Sequence, residues 1–375
     1  MKNDKLPKVQ KKINKIASSL IGWRTNRKLI VFESDDWGSI RMPSLKAFNN
    51  ASKALVDLKS GDASRYNLYD TLATKDDLTA LFEILCTVRD KNNKPAIFTP
   101  VSLVANPDFD KIKSSDFQDY FYEPFTETLK RYNREDAVSL WKEGIESRLF
   151  VPQFHGREHL NVQVWLRSLQ KKDSHTLLAF EHRMWGFKNS GPVSYQAAFD
   201  LEYPSEIEYQ KTVIKEGIQL FNSLHGYKAT FFVPPNGPFN IQLEESTFQS
   251  GIKYISTSKI HKEPQGNGKF KKRIYWLGKK NQFGQRYITR NAFFEPSLSG
   301  KDWVDSCLYD IETAFRYKKP ATISTHRVNY IGSLDPKNRE NGLKQLTQLL
   351  KRIIKKWPDV EFLTSEELGN LLSKN

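Results

Sequence analysis

The sequence of 375 residues is poor in cysteine and lacks long apolar runs. Only Cys86 and Cys307 occur, which excludes a disulfide framework, a CxxC motif and a cysteine zinc cluster. No run of about 18 apolar residues appears, and the N-terminus lacks the run of about seven that a signal peptide needs. Residues 265–269 are rich in glycine but lack a nucleotide-binding pattern. These absences predict a cytoplasmic protein that does not span a membrane.

Charge of one sign is in excess. The chain contains 58 Lys and Arg against 43 Asp and Glu, a formal net charge of +15 at pH 7. Such a surface attracts polyanions and anionic membranes. The basic residues are spread along the chain, and the sequence contains no known nucleic-acid-binding motif. Both observations argue against specific nucleic-acid binding. The apolar and charged fractions, 38% and 27%, are those of an ordinary globular protein.

The N-terminal segment 1–27 has the pattern of a basic amphipathic helix. Its apolar residues recur at steps of three and four and are interleaved with lysines: Val9, Ile13, Ile16, Ala17, Leu20 and Ile21. We expect this helix to pack on its own domain. The alternative is peripheral contact with an anionic membrane, at its inner face. Residues 28–375 are expected to form one domain.

Repeated strand and helix patterns follow from residue 28 onward. Apolar runs such as Lys28–Glu33, Lys94–Val104 and Ala321–Thr325 predict buried strands, and about seven units of this kind alternate with helical patterns. Long connections between the strands predict a parallel sheet, and the number of units favours an α/β fold of the (β/α) barrel type. Segments around 105–148 and 174–204 are predicted to be helical or loop insertions.

Three of the predicted strands end on residues that can do chemistry. Asp35-Asp36 follows the first strand, His155 and His159 follow another, and His326 ends a third. Working residues of such barrels sit where the strands end. Two histidines four residues apart and a carboxylate can hold a zinc or iron ion. Alternatively, the histidines form a hydrogen-bonded or solvated pair, the aspartates belong to a turn or cap, and His326 packs in the core.

In this order the motifs resemble those of the polysaccharide deacetylase family with a NodB homology domain, carbohydrate esterase family four. The resemblance runs from about Lys28 to Leu372 and implies a distorted (β/α) barrel that removes acetyl groups from sugars with a divalent metal, usually zinc. It implies that Asp35 is the catalytic base, that Asp36, His155 and His159 bind the metal, and that His326 is the acid. Asp302-Trp303 resembles the fourth motif, whose Trp walls the acyl pocket.

Other positions depart from the family pattern. His155 is followed by Gly156 instead of Ser or Thr, and Ser324 stands where Leu is usual. The third motif should supply an Arg that orients the base, but the sequence there is Val233-Pro234-Pro235-Asn236, and Arg290 is the candidate substitute. The residues assigned to substrate binding are Trp37, Pro235, Asn236, Arg290 and Trp303.

The sequence therefore predicts a metal-dependent hydrolase acting on N- or O-acetylated sugars. The alternative is an inactive or repurposed barrel that binds an anionic glycan, nucleic acid or lipid surface. A glycosidase or phosphoesterase on a similar barrel is a third interpretation, but a glycosidase needs two separated carboxylates rather than an adjacent pair.

Overall fold

A computed structural model describes residues 21–53, 58–59 and 64–374. Most of the predicted N-terminal helix, residues 1–20, lies outside the described residues. None of the described helices is both long and apolar enough to cross a bilayer. Cys86 and Cys307 are both free thiols, as predicted.

Thirteen strands and thirteen helices make up the described part of the chain, besides short 3-10 turns. The strands are β1 (Lys28–Trp37), β2 (Phe98–Leu103), β3 (Ala105–Pro107), β4 (Tyr122–Pro124), β5 (Gln153–Gly156), β6 (Phe231–Phe232), β7 (Tyr254–Ser256), β8 (Ile260–Gly266), β9 (Lys269–Ile274), β10 (Arg286–Ile288), β11 (Ala292–Phe293), β12 (Ala321–His326) and β13 (Val360–Leu363). The helices are α1 (Leu45–Lys53), α2 (Ser64–Tyr69), α3 (Lys75–Leu85), α4 (Phe109–Ser114), α5 (Phe125–Arg131), α6 (Ala137–Glu146), α7 (Val162–Gln170), α8 (Ser174–Glu181), α9 (Ile207–His225), α10 (Glu244–Gln249), α11 (Trp303–Arg316), α12 (Pro336–Lys356) and α13 (Ser365–Ser373).

Nine of these strands form one parallel sheet. Eight lie in the order β10-β7-β6-β5-β2-β1-β12-β11, and β13 pairs with the start of β1. The curled sheet with its helices is a distorted (β/α) barrel, so the predicted fold class is confirmed. The sheet has two more strands than the predicted seven or so. Two of its strands, β10 and β11, are short and lie on either side of Arg290.

Strand β1 lies inside the sheet, between β2 and β12, and both of its faces are covered. After Lys28 every residue of β1 is buried, which fits the apolar run that a doubly covered parallel strand requires. Helices α3, α6, α11 and α12 pack against the sheet in a shared apolar core that contains Phe32 and Leu346.

A capping box is present at the start of α3. The Thr74 side chain accepts a hydrogen bond from the Asp77 amide at 3.2 Å, and Asp77 accepts one from the Thr74 amide at 2.9 Å. Two donors at the helix start are thereby satisfied.

Two antiparallel hairpins interrupt the barrel pattern. One, β3 with β4, lies in the predicted insertion 105–148 together with α4, α5 and α6. The other, β8 with β9, follows β7 directly and spans residues 260–274. The second predicted insertion, 174–204, contains α8 and a long irregular stretch.

Candidate metal centre

A cavity of about 720 Å³ opens at the carboxyl ends of the parallel strands, and we call it the strand-end cavity. Seven strands, β1, β5, β6, β7, β10, β11 and β12, supply side chains or following loops to its wall, as expected for a barrel of this kind. The five residues predicted to carry the chemistry all line it: Asp35, Asp36, His155, His159 and His326. Parallel strands bring these residues together although almost 300 positions separate the first from the last.

A bulge in β1 lets two consecutive aspartates face the same cavity. Neighbouring side chains of a regular strand point to opposite faces. In β1 the pairing with β2 shifts between Ser34 and Trp37, and Asp36 takes a positive φ of 74°. Such a conformation is rare for a residue other than glycine and is concentrated at functional sites. The bulge therefore re-aims the strand so that Asp35 and Asp36 both line the cavity.

Asp36, His155 and His159 form a buried cluster of potential metal ligands. Their ligand atoms all lie within 4.8 Å of one another. Asp36 Oδ1 is 3.2 Å from His159 Nε2 and 3.5 Å from His155 Nε2. Burial lowers the pKa of His159 to about 4, so its imidazole is neutral at pH 7, the form that binds metals. Two imidazoles and one carboxylate form a donor set that suits zinc or ferrous iron.

Hydrogen bonding around the histidines also fits a metal. His155 Nδ1 lies 2.7 Å from the carbonyl oxygen of Val233, which orients the ring and leaves Nε2 towards Asp36. His155 Nε2 and His159 Nδ1 are buried without a hydrogen-bond partner. Unpaired polar atoms of this kind are costly in a protein interior, and a cation between the rings would satisfy His155 Nε2.

Gly156 is required by the backbone next to this cluster. Its φ is +138°, in a region that residues with a side chain rarely adopt. An added Cβ would also lie 3.3 Å from the Glu158 carbonyl oxygen and 3.4 Å from Pro235. The departure from Ser or Thr at this position thus has a conformational cause.

Arg290 holds Asp35, the first aspartate of the pair, in place. Its two terminal nitrogens each donate to one oxygen of Asp35 at 2.6 Å, and its Nε donates to Glu33 at 2.6 Å. It also donates to the Ser324 hydroxyl at 3.1 Å, which a leucine could not accept. Burial alone would raise the pKa of Asp35, but the Arg290 guanidinium outweighs it and holds that pKa below its ordinary value.

His326 is also held in place by a charged neighbour, the carboxylate of Glu295. Its Nδ1 lies 2.5 Å from Glu295, and its Nε2 lies 3.8 Å from Asp35 Oδ2. Burial alone would lower the pKa of His326, but Glu295 outweighs it and raises that pKa above its ordinary value. Glu295 is itself fixed by Arg65 at 2.6 Å and by Asn329 at 2.9 Å.

Only some of the residues predicted to bind substrate line the strand-end cavity. Arg290 and Asn236 line the strand-end cavity. Pro235 and Trp303 are described by the structure but do not line this cavity. Trp37 is fully buried and packs against Trp141 and Phe150 in the core. The structure therefore places Trp37 where it supports the fold instead of stacking on a ligand, because the bulge turns its side chain to the core.

Several residues of the site carried no sequence signal. Arg41 and Tyr66 line the cavity, and Arg41 lies between the rings of Tyr66 and Trp185, 4.9 and 5.1 Å from their centres. Trp185 in turn stacks on His159. Glu33 in β1 pairs with Arg290, and Arg65 in α2 pairs with Glu295. Neither pair could be predicted from the sequence, because the partners lie more than 200 positions apart.

No protein-family model matches the chain, and no curated protein matches it. Several solved structures are similar to it in fold. A provisionally assigned polysaccharide deacetylase from Mycobacterium smegmatis is 10% identical, with a TM-score of 0.44 over 94% of this chain and 93% of that one. A 4-alpha-glucanotransferase from Thermococcus litoralis is 10% identical, with a TM-score of 0.45 over 92% and 40%. A CE4 family pseudoenzyme from Bacillus anthracis is 11% identical, with a TM-score of 0.39 over 92% and 66%. Likenesses of this strength, to proteins of such different activity, assign no function to the chain.

Proposed function

We propose that the protein is a metal-dependent hydrolase that removes acetyl groups from N- or O-acetylated sugars. The observation that carries the proposal is the joint presence, in one cavity, of three potential metal ligands, a separate carboxylate and an oriented histidine. Hydrolysis of an amide or ester needs these three parts: a polarising centre, a base for water and an acid for the leaving group.

The metal would be held by Asp36, His155 and His159. When bound there, a divalent ion such as zinc supplies a Lewis acid that polarises the acetyl carbonyl and makes water more acidic. Three protein ligands leave coordination positions open, as catalytic sites require. The closed four-ligand arrangement of a structural zinc site would instead have no room for a substrate.

Asp35 is suited to be the base. Its carboxylate lines the cavity next to Asp36 and is ionised at neutral pH because Arg290 lowers its pKa. The bidentate contact with Arg290 also fixes the plane of the carboxylate. Asp35 would accept the proton that water loses as it attacks the acetyl carbon. Arg290 would thus take the orienting role that the third motif of the polysaccharide deacetylases assigns to another Arg.

His326 is suited to be the acid. The Glu295 carboxylate raises the pKa of His326 and thereby favours the protonated ring that a proton donor needs. With Nδ1 committed to Glu295, Nε2 is left facing the cavity near Asp35. From there it would donate a proton to the departing sugar nitrogen or oxygen. An amide nitrogen leaves poorly without such a proton.

The first test is metal content. We expect about one divalent ion per chain in the wild type and its loss in His155→Ala and in Asp36→Ala, measured by elemental analysis after dialysis. His175→Ala is the matched control, because His175 is exposed on α8 and away from the cavity. Equal metal content in all four proteins would contradict the proposed site.

The second test is acetate release from N-acetylated and O-acetylated oligosaccharides by the metal-loaded protein. Asp35→Asn and His326→Gln should retain the metal and lose activity by about 10²-fold or more. If the protein bound metal but released acetate from none of these substrates, the metal centre would stand and the deacetylase activity would be contradicted. No metal binding at all would favour the alternative of a barrel that binds an anionic ligand.

A further inference from the structure

The hairpin formed by β8 and β9, residues 260–274, presents an unusual surface, and we call it the basic hairpin. Its sequence contains five basic residues, Lys262, Lys269, Lys271, Lys272 and Arg273, against the single acid Glu263. It begins directly after Thr257, Ser258 and Lys259, which line the strand-end cavity. The hairpin therefore rises from the rim of that cavity.

The inner face of the basic hairpin is used to attach it to the barrel. His261 and Glu263 are buried, with exposures of 5% and 2%. His261 Nε2 lies 2.8 Å from the Phe239 carbonyl oxygen, and Glu263 pairs with Arg273 and accepts from the Ile241 amide. Asn240 also donates to the Pro264 carbonyl at 2.7 Å. Because the single acid is buried and paired, it does not offset the charge of the other face.

The opposite, outer face consists of Ile260, Lys262, Phe270, Lys272 and Ile274. Ile260 pairs with Ile274 and Lys262 with Lys272 across the two strands, so these side chains share one side. The three apolar side chains are 58%, 58% and 60% exposed. Lys262 Nζ lies 5.0 Å from the centre of the Phe270 ring. The face is thus an exposed apolar patch with lysines set into it.

Protection of a strand edge accounts for only part of this pattern. Lysines on an edge strand prevent aggregation, but an edge that needs protection is worsened by three exposed large apolar residues beside them. Exposed apolar side chains that occur together mark an interaction surface. A partner for this face would have to accept both apolar groups and positive charge.

We propose that the outer face of the basic hairpin docks on an anionic lipid bilayer. Ile260, Phe270 and Ile274 would enter the boundary between headgroups and acyl chains, while Lys262 and Lys272 reach lipid phosphates along their flexible stems. The charge complementarity favours this partner over the alternatives. In a symmetric dimer the same patch would face itself and bring lysine against lysine. A soluble polyanion would satisfy the lysines but leave the isoleucines in water.

Vesicle binding by the full-length protein tests the proposal. Vesicles of phosphatidylcholine alone are compared with vesicles of phosphatidylcholine and phosphatidylglycerol, by cosedimentation at low and physiological salt. We expect strong binding only to the mixed vesicles, weakened by salt. A lysine at the surface contributes about fivefold in affinity, so Lys262→Gln/Lys272→Gln should weaken binding by about 25-fold.

The matched control is Lys344→Gln/Lys351→Gln. Both lysines are exposed on α12, and the double variant removes the same charge, so its binding should fall by a few-fold at most. Equal losses in the two double variants would overturn the proposal, because net charge alone would then be responsible. Binding unchanged in the hairpin variant would also overturn it and would assign the interaction to another part of the chain, such as residues 1–20.

Insertion of the apolar residues is tested separately. The Phe270→Trp variant should show a blue-shifted tryptophan emission, relative to wild type, when mixed vesicles are added. Ile260→Ser/Ile274→Ser should abolish that shift in the Phe270→Trp background and leave the far-UV circular dichroism unchanged. No shift, or equal binding to soluble heparin and to vesicles, would identify a polyanion site instead. A concentration-dependent dimer lost in Ile260→Ser/Ile274→Ser would identify an interface between copies. Either result would overturn the proposal.

Discussion

Replacing Arg290 with Gln should destabilise the protein strongly at neutral pH. Arg290 donates three hydrogen bonds to two carboxylates that are almost fully buried, those of Glu33 and Asp35. Removing one partner of a buried ion pair leaves an uncompensated charge and costs about 3–5 kcal/mol. We expect a loss of that size in the free energy of unfolding of Arg290→Gln at pH 7, measured by urea denaturation.

The loss of stability in Arg290→Gln should become smaller as the pH is lowered. The pKa of Asp35 in the folded protein is lowered, so the pair contributes stability above the ordinary carboxyl pKa of about 4, and the contribution is lost as the pH falls through the folded value. In Arg290→Gln the largest influence that opposes burial is gone, so the pKa of Asp35 should lie higher than in the wild type. The difference between variant and wild type should therefore shrink as both proteins approach about pH 4, where the variant no longer has to keep a charge buried.

Two further variants make the test specific. Asp35→Asn/Arg290→Gln should be more stable than Arg290→Gln alone, because one of the stranded charges has been removed. Lys356→Gln breaks the exposed pair with Glu312 and should cost less than about 1 kcal/mol. If Arg290→Gln lost no more stability than Lys356→Gln at pH 7, the buried network would not have the role argued here.

Three further outcomes are expected. In Glu295→Gln the pKa of His326 should fall, since the carboxylate that raises it is gone. The alkaline limb of the pH dependence of kcat/KM should therefore move to lower pH, and an unmoved limb would contradict the proposed acid. Gly156→Ala should lose about 1–3 kcal/mol in denaturation because of its φ of +138°. Gly186→Ala should be destabilised less, because Gly186 has no positive φ and an added Cβ there would meet nothing closer than 3.7 Å. Trp37→Ala should cost about 3–5 kcal/mol of stability; a stable Trp37→Ala protein with a raised KM would restore Trp37 as a substrate contact.

The candidate metal ligands could be predicted from the sequence because their signal is local. Asp35-Asp36 and the pair His155 and His159 each stand at the end of an apolar run, and parallel strands deliver their carboxyl ends to one side of a sheet. Most helices and strands were also predictable within a few residues, since their apolar periodicity and caps such as Thr74 and Asp77 act over short distances.

The direction of side chains around the bulge was decided by the tertiary structure. In a regular strand Asp36 would point away from the neighbours on either side of it, and Trp37 would share the face of Asp35. The positive φ of Asp36 and the shifted pairing with β2 break that alternation. As a result both aspartates face the cavity and Trp37 enters the core, which no spacing in the sequence indicates.

The sequence by itself therefore determined the barrel class, the order of the strands along the chain and the candidate metal ligands, because each depends on residues close together in the chain. Only the tertiary structure decided which groups orient them. Arg290 meets Asp35 across 255 positions, and Glu295 meets His326 from the loop after a neighbouring strand. A charged residue near a strand end has many possible partners, and the partner it finds is fixed by how the strands pair and where the chain bends.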